Sequence, residues 1–216
     1  VDLSAKGILH FIEQMIRSSV IEISGETMKG MIGVTGGTGS LTKIVPQILR
    51  NTTKGKCAPL IRMYCLQKLV EVADFNMDVR PRIVWTQIWG MLASHFVDIC
   101  SQDNPRISMF AIDSLRQLSF KFLEKPELND FNFQGLFLRP FDEIMKNPKS
   151  DEDVRELVLR CVDNMIRSLS NNLVSGWKVL FSILAQSSLD ISPNINKLGL
   201  AILQRILDEH TDILCC

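Results

Sequence analysis

The stretch NPRISMFAIDSLRQLSFKFLEKPELNDFNFQGLFLRPFDEIM, residues 104–145, decides the fold. In its first half apolar residues fall at Ile107, Phe110, Ala111, Leu115, Leu118 and Phe122, the spacing of an amphipathic helix. Asp113, Arg116, Gln117 and Lys121 form a narrow polar stripe on the remaining face. So narrow a stripe predicts a helix covered on several sides, near the middle of an array. An aromatic-punctuated turn follows, and then a second helix opened by Phe137-Leu138-Arg139-Pro140-Phe141.

Working outward, the same face recurs. Ile61, Ile107, Val154 and Ile195 each begin a helical pattern, and the starts are 46, 47 and 41 residues apart. Three positions on stand Tyr64, Phe110, Leu157 and Leu198; four on stand Cys65, Ala111, Val158 and Gly199, mostly small. Eight on come Leu69, Leu115, Val162 and Leu203, and eleven on Val72, Leu118, Met165 and Ile206. The helix before each of the last three carries two aromatics one turn apart: Trp85/Trp89, Phe137/Phe141 and Trp177/Phe181. Side chains four apart share a helix face, so each pair is read as a wedge against its partner helix. Pro81, Asn104-Pro105, Ser150-Asp151 with Asp153 in capping-box style, and Ser192-Pro193 mark helix starts. No segment alternates with period two for long enough to make a strand. The fold class read from this is all-α, a right-handed stack of antiparallel helix pairs of the HEAT or armadillo kind, whose repeat length matches. The expected domains are an N-terminal helix over 1–23, a Gly-rich loop, short helix and linker over 24–58, and a helical repeat domain over 59–214 with the first helix packed on it.

The bulk composition agrees with a globular protein: 46% apolar and 22% charged residues over 216 positions, with zero formal net charge. Neutrality removes the electrostatic case for nucleic acid, which needs a concentrated basic surface. Seven Lys/Arg oppose four Asp/Glu in residues 1–56, and nine oppose thirteen in 127–216, a mild polarity read as solvated faces. The most apolar run, Ile83 to Val97, is interrupted by Thr86, Gln87, Ser94 and His95 and falls short of the about 18 residues a membrane span needs. The start has no secretory signature and no Met, the expectation being an excised fragment.

At the N-terminus Asp2 or Ser4 caps a helix predicted to run to about Val20. Ser24 to Ser40 holds six glycines in seventeen residues and reads as a long loop, since glycine at that density costs too much backbone entropy for a regular element. A short helix over 41–50, bent by Pro46, and a linker over 51–57 complete the segment. Gly33 to Ser40 superficially resembles a phosphate loop, but no buried strand precedes it and Lys43 lacks the Gly-Lys-Ser/Thr setting. Cys215-Cys216 resembles a prenylated tail, yet it follows directly on a predicted helix. Cys65, Cys100 and Cys161 lie in apolar helical patterns and read as buried thiols. His10, His95 and His210 lack ligand-like spacing, so no metal and no cofactor is expected. The acidic runs Asp151-Glu152-Asp153 and Asp208-Glu209 have no nucleophilic or basic partner at a useful spacing.

Several segments together resemble the region downstream of the catalytic domain in large, brefeldin-A-inhibited, late-Golgi Arf guanine-nucleotide exchange factors. They are FAIDSLRQLSFKFLEK, FNFQ and FLRPFDEIM, with LQKLVEVADFNM and RIVWTQIWGMLASHF before them and VRELVLRCVDNMIRS and SGWKVLFSIL after. The resemblance covers Pro59 to Leu184. Residues 1–56 lie outside it, and Asp78-Val79-Arg80-Pro81 departs from the family's shorter link.

What the resemblance implies is a non-catalytic regulatory domain in Golgi vesicle trafficking. Exchange in that family is performed by a separate domain with a Phe-Arg-Leu-Pro-Gly-Glu motif, whose glutamate displaces Mg²⁺ and phosphate, and the motif is absent from this chain. The implied partners are an Arf-family small GTPase in its GTP form and other domains of the same factor. A peripheral cytoplasmic place on Golgi or trans-Golgi membranes and a possible homodimer go with them. Arg116, Gln117, Lys121, Lys125, Asn132, Gln134 and Arg139 are the candidate partner surface, and a purely structural spacer or dimerisation scaffold is the alternative.

Overall fold

A computed structural model describes residues 3–24, 63–102, 104–125 and 132–209. The Gly-rich loop, the short helix over 41–50, the linker after it and the terminal cysteines lie outside the described residues, as do Phe131 and the turn before it. The described residues are all-helical, with no strand among them: α1 (Ala5–Ser24), α2 (Tyr64–Val79), α3 (Arg82–Cys100), α4 (Pro105–Leu123), α5 (Phe133–Lys146), α6 (Glu152–Leu169), α7 (Gly176–Ser188) and α8 (Pro193–Glu209). One 3₁₀ turn, Ser170–Asn172, joins α6 to α7.

Short connections set the packing. Only Arg80 and Pro81 separate α2 from α3, and only residues 189–192 separate α7 from α8. Helices α1, α3, α5 and α7 pack side by side in one row, each on the next, and α2, α4, α6 and α8 pack likewise in a second row. The rows meet through α1 on α2, α3 on α4, α5 on α6 and α7 on α8. The four helices that share the recurrent apolar pattern are thus the four of the second row. Ile107, Val154 and Ile195 are buried, as are Ala111, Val158 and Gly199. Tyr64, on the first helix of that row, is exposed. The central helix α4 touches α2, α3 and α6, and even its Ser108, Ser114 and Ser119 are buried. That is the many-sided burial its narrow polar stripe predicts.

Side-chain caps mark three of the eight described helix starts. Ser4 Oγ accepts from Gly7 N at 3.1 Å, and α1 extends to Ser24, four residues beyond its expected end. Asn104 Oδ1 accepts from Arg106 N at 3.1 Å with Pro105 next, and Ser192 Oγ accepts from Asn194 N at 3.3 Å with Pro193 next. The expected capping box at Ser150 is not formed. Asp151 takes the N-cap position without a side-chain bond, which puts Val154 where an acidic residue would have to stand. Ser150 Oγ turns back instead and donates to Ile144 O at 2.7 Å, closing the end of α5.

The largest departure concerns α5. It begins at Phe133, so Pro140 sits inside it rather than in its first turn. Proline has no N–H for the carbonyl four residues back, here that of Leu136. The indole Nε1 of Trp89 donates to that carbonyl at 3.3 Å and supplies the missing partner from α3. The same indole stacks on Phe137 with centroids 3.8 Å apart and planes 9° apart. Phe122 of α4 stacks on Phe137 as well, at 4.2 Å and 4°. The aromatic wedge therefore joins three helices, with Phe137 stacked between Trp89 and Phe122.

Candidate functional site

The candidate partner residues fall into separate places, and the densest lies where the ends of α2 and α4 meet the start of α5. Lys121 on α4 and Lys125, four residues on and just past the helix end, face Asp74 and Asp78, one turn apart on α2. Lys121 Nζ is 2.8 Å from Asp74 Oδ1 and 2.8 Å from Asp78 Oδ2. Lys125 Nζ pairs with Asp78 and donates to Met77 O at 3.3 Å. Hydrogen bonds from Lys121 and then Lys125 hold the Asp78 carboxyl down to about 2, and bonds to Asp74 and Asp78 push Lys121 up. The two lysines are thus already engaged as a clamp between the first two helices of their row.

Beside the clamp opens a cavity of about 240 Å³. Arg80, Arg82 and Lys125 bring positive charge to it, while Trp85, Phe122 and Phe133 supply apolar wall. Arg80 Nε donates to the neutral Asn76 Oδ1 at 3.2 Å, and the Arg82 guanidinium stands 5.7 Å from the Phe133 ring centroid. Neither guanidinium has a carboxylate partner among the described residues. The two arginines went unnoticed in the sequence. Their only signal is the Asp78–Pro81 link that departs from the family pattern.

Gln134, expected on the surface, is buried and belongs to the framework. Its carboxamide oxygen accepts from Val174 N at 2.8 Å and Gly176 N at 3.2 Å, and its Nε2 donates to Asn172 O at 2.7 Å. Asn172 Nδ2 in turn donates to Leu123 O at 3.1 Å, so the α6–α7 connection ties the end of α4 to the start of α5. Asn132, just before α5, is exposed. Arg116 donates to Asp113 through Nη2 at 2.6 Å and Nε at 2.9 Å, and Gln117 Nε2 donates to the other oxygen of Asp113 at 2.7 Å. Arg139 lies apart on α5, exposed, paired with Glu143 at 2.8 Å. It borders a groove of about 310 Å³ between α3 and α5 whose other walls include Thr86, Gly90 and Ala93.

Chemistry-bearing groups elsewhere are framework. Burial pushes the Cys100 and Cys161 thiols up to about 12, far from a thiolate nucleophile. His95 is buried with Nε2 3.0 Å from Ser19 Oγ, holding α1 on α3, and burial pushes its pKa down. Arg155, bonded to Asp190 at 2.7 Å, ties α6 to the α7–α8 connection. No group of three or more His, Cys, Asp or Glu among the described residues is placed to hold a metal ion. No helix of the described residues is long and apolar enough to cross a membrane.

Comparison with known proteins fits the same span. The family model described as Mon2/Sec7/BIG1-like, HDS matches residues 121–205, reaching past the Leu184 limit of the sequence resemblance. The chain is 44% identical over 149 residues to brefeldin A-inhibited guanine nucleotide-exchange protein 2 of Arabidopsis thaliana, covering 69% of this chain and 8% of that protein. It is 44% identical over 138 residues to brefeldin A-inhibited guanine nucleotide-exchange protein 1 of Homo sapiens, covering 64% and 7% respectively. The matched segment therefore spans less than a tenth of these relatives. The matched region is the HDS region, which is not the exchange domain. With the helices that the matching residues build, these likenesses place the chain in the family of brefeldin A-inhibited type Arf guanine-nucleotide exchange factors, as their HDS homology region.

Proposed function

We propose that this segment is a non-catalytic regulatory module that binds GTP-loaded Arf at Golgi membranes, controls autoinhibition of the exchange domain, or does both. The observation that carries the reading is the family match, which falls on the HDS region. The two rows of helices support a HEAT- or armadillo-like solenoid, a right-handed stack of antiparallel pairs that offers faces and loop edges to protein partners. In that reading residues 59–214 form one repeat domain, with 1–23 packed on it and 24–58 between them. Of the candidate surface, Arg139, Asn132, Arg116 and Gln117 remain the polar groups placed to meet a partner. The test is retention of this chain on membrane-anchored Arf locked with GTP or GDP, with and without liposomes. Preferential retention on the GTP form supports the reading, and equal or no retention of the two forms removes direct GTPase binding from it.

A second reading is favoured by a specific observation: Lys121, Lys125 and Gln134 are all spent on joining helices. On that reading the segment is a spacer or dimerisation scaffold. Arg139→Glu in the full-length factor would then leave its recruitment to membranes unchanged, whereas a partner surface that includes α5 would lose it.

A further inference from the structure

The cavity where α2, α3, α4 and α5 meet is set apart by two arginines brought to one aromatic-walled opening. Four arginines elsewhere are paired along their own helices, Arg116 with Asp113, Arg139 with Glu143, Arg160 with Glu156 and Arg167 with Asp163. Here Lys125 is balanced by Asp78, but Arg80 and Arg82 have no carboxylate partner among the described residues. Arginine presents a planar fork that matches a carboxylate with two parallel hydrogen bonds. The wall beneath them is aromatic, from Trp85, Phe122 and Phe133. The Trp85 side chain is 4% exposed, and its Nε1 finds no hydrogen-bond acceptor among the described residues. That nitrogen is closed to solvent, so Trp85 walls the cavity with its ring and not with its N–H.

Size and charge narrow the occupant. Small-molecule sites enclose about 300–1,000 Å³; this cavity is smaller, about 240 Å³, and suits one anchoring side chain with an acidic group at its mouth. A polybasic membrane site uses clusters of about 4–8 Lys/Arg, against two arginines here that lack a carboxylate partner among the described residues. Outside the cavity Val79 and Ile83, the chain neighbours of Arg80 and Arg82, are 54% and 73% exposed and extend apolar surface for the residues flanking the anchor.

We infer that this cavity binds a short peptide segment that pairs a bulky apolar side chain with an adjacent Asp or Glu. The apolar side chain enters against Trp85 and Phe122, and the carboxylate is held by Arg80 and Arg82. The inference rests on the cavity alone and not on the GTPase reading. Its test contains no GTPase, so either can fail while the other stands.

The experiment uses the whole 216-residue chain and two fluorescein-labelled peptides, one with the core Phe-Asp-Glu-Leu and one with Phe-Asn-Gln-Leu, read by fluorescence anisotropy. The acidic peptide binds and weakens with added salt, as charge pairing at a surface requires, and the amide twin binds at least tenfold more weakly. Arg82→Glu lowers the affinity for the acidic peptide at least tenfold with an unchanged melting temperature. Arg82→Gln replaces it should the reversal lower that temperature. In a ¹⁵N spectrum the indole N–H signal lost in Trp85→Phe shifts on adding the acidic peptide. Equal binding of both peptides, no binding of either, or an unmoved affinity in both Arg82 variants overturns the inference. So does binding to vesicles of anionic phospholipid without binding to the peptide, which would reassign the arginines to a membrane.

Discussion

Lys121 of α4 lies equidistant, at 2.8 Å, from a carboxylate oxygen of Asp74 and one of Asp78, which stand on successive turns of α2. With Lys125 also on Asp78, two cations hold that carboxyl down to about 2 from its ordinary 3.8. A depressed carboxyl contributes its stability above its unfolded value and loses it as pH falls from there through the folded value. The window is therefore about pH 4 to 2. Proton titration of the Asp78 carboxyl followed by NMR should give a midpoint near 2, returning toward 3.8 in Lys121→Met/Lys125→Met. Asp78 is exposed, so the accompanying change in melting temperature should be small and shrink with salt.

Gln134→Ala deletes an acceptor for two backbone N–H groups and a donor to Asn172 O. Groups left buried and unpaired there should cost about 2–3 kcal/mol of unfolding free energy. Urea denaturation measures it, and amide exchange at Val174 and Gly176 should quicken before exchange in α3 does. A variant as stable as the parent would show that the α6–α7 connection is held by something else.

Gly199 faces Ser187 so closely that an added Cβ would lie 1.8 Å from Oγ and 2.8 Å from Cβ of that serine. Gly199→Ala should force α8 away from α7 and cost about 1–3 kcal/mol, the usual range for overpacking. Ser187→Gly removes both clashing atoms, so the double variant should recover most of the loss in thermal melts, and absence of recovery would place the strain elsewhere.

His95 is shifted in the opposite sense to Lys121. Its burial lowers the imidazole pKa below 6.5, with Asp98 on the same helix opposing in part and only the hydroxyl of Ser19 meeting it from α1. The folded state then binds this proton less readily than the unfolded chain, and stability falls as pH drops below 6.5. Thermal melts at pH 5 and 7 should differ, and the difference should narrow in His95→Gln. An NMR midpoint for His95 at or above 6.5 would contradict the geometry.

The recurrent face of α2, α4, α6 and α8 was readable because a helix advertises its buried stripe every three to four residues. Trp89 and Phe137 were readable as wedges for the same reason. That Phe122 completes their stack was not, since it needs the placement of a third helix. Pro140 looked like a helix opener, because the donor that lets it sit mid-helix belongs to Trp89, and Leu136 O lies 47 residues further along the chain. Gln134 was assigned to the surface because a lone polar residue beside phenylalanines gives no local sign of burial. Its partners come 38–42 residues later. Arg80 and Arg82 flank a proline in a connection, and only the approach of α4 and α5 turns them into the walls of a cavity.

The clamp at Gln134 also has a consequence in time. Its last partner, Gly176 N, follows it by 42 residues. A ribosome adding about 5–20 residues per second therefore leaves the joint between α4 and α5 unlocked for roughly 2–8 s after Gln134 is made. Phe137, the middle ring of the stack, comes three residues after Gln134, so all three rings are made well before the polar bracket over them can close. The nascent chain is thus open to a chaperone, or to mispairing of α5, until α7 begins.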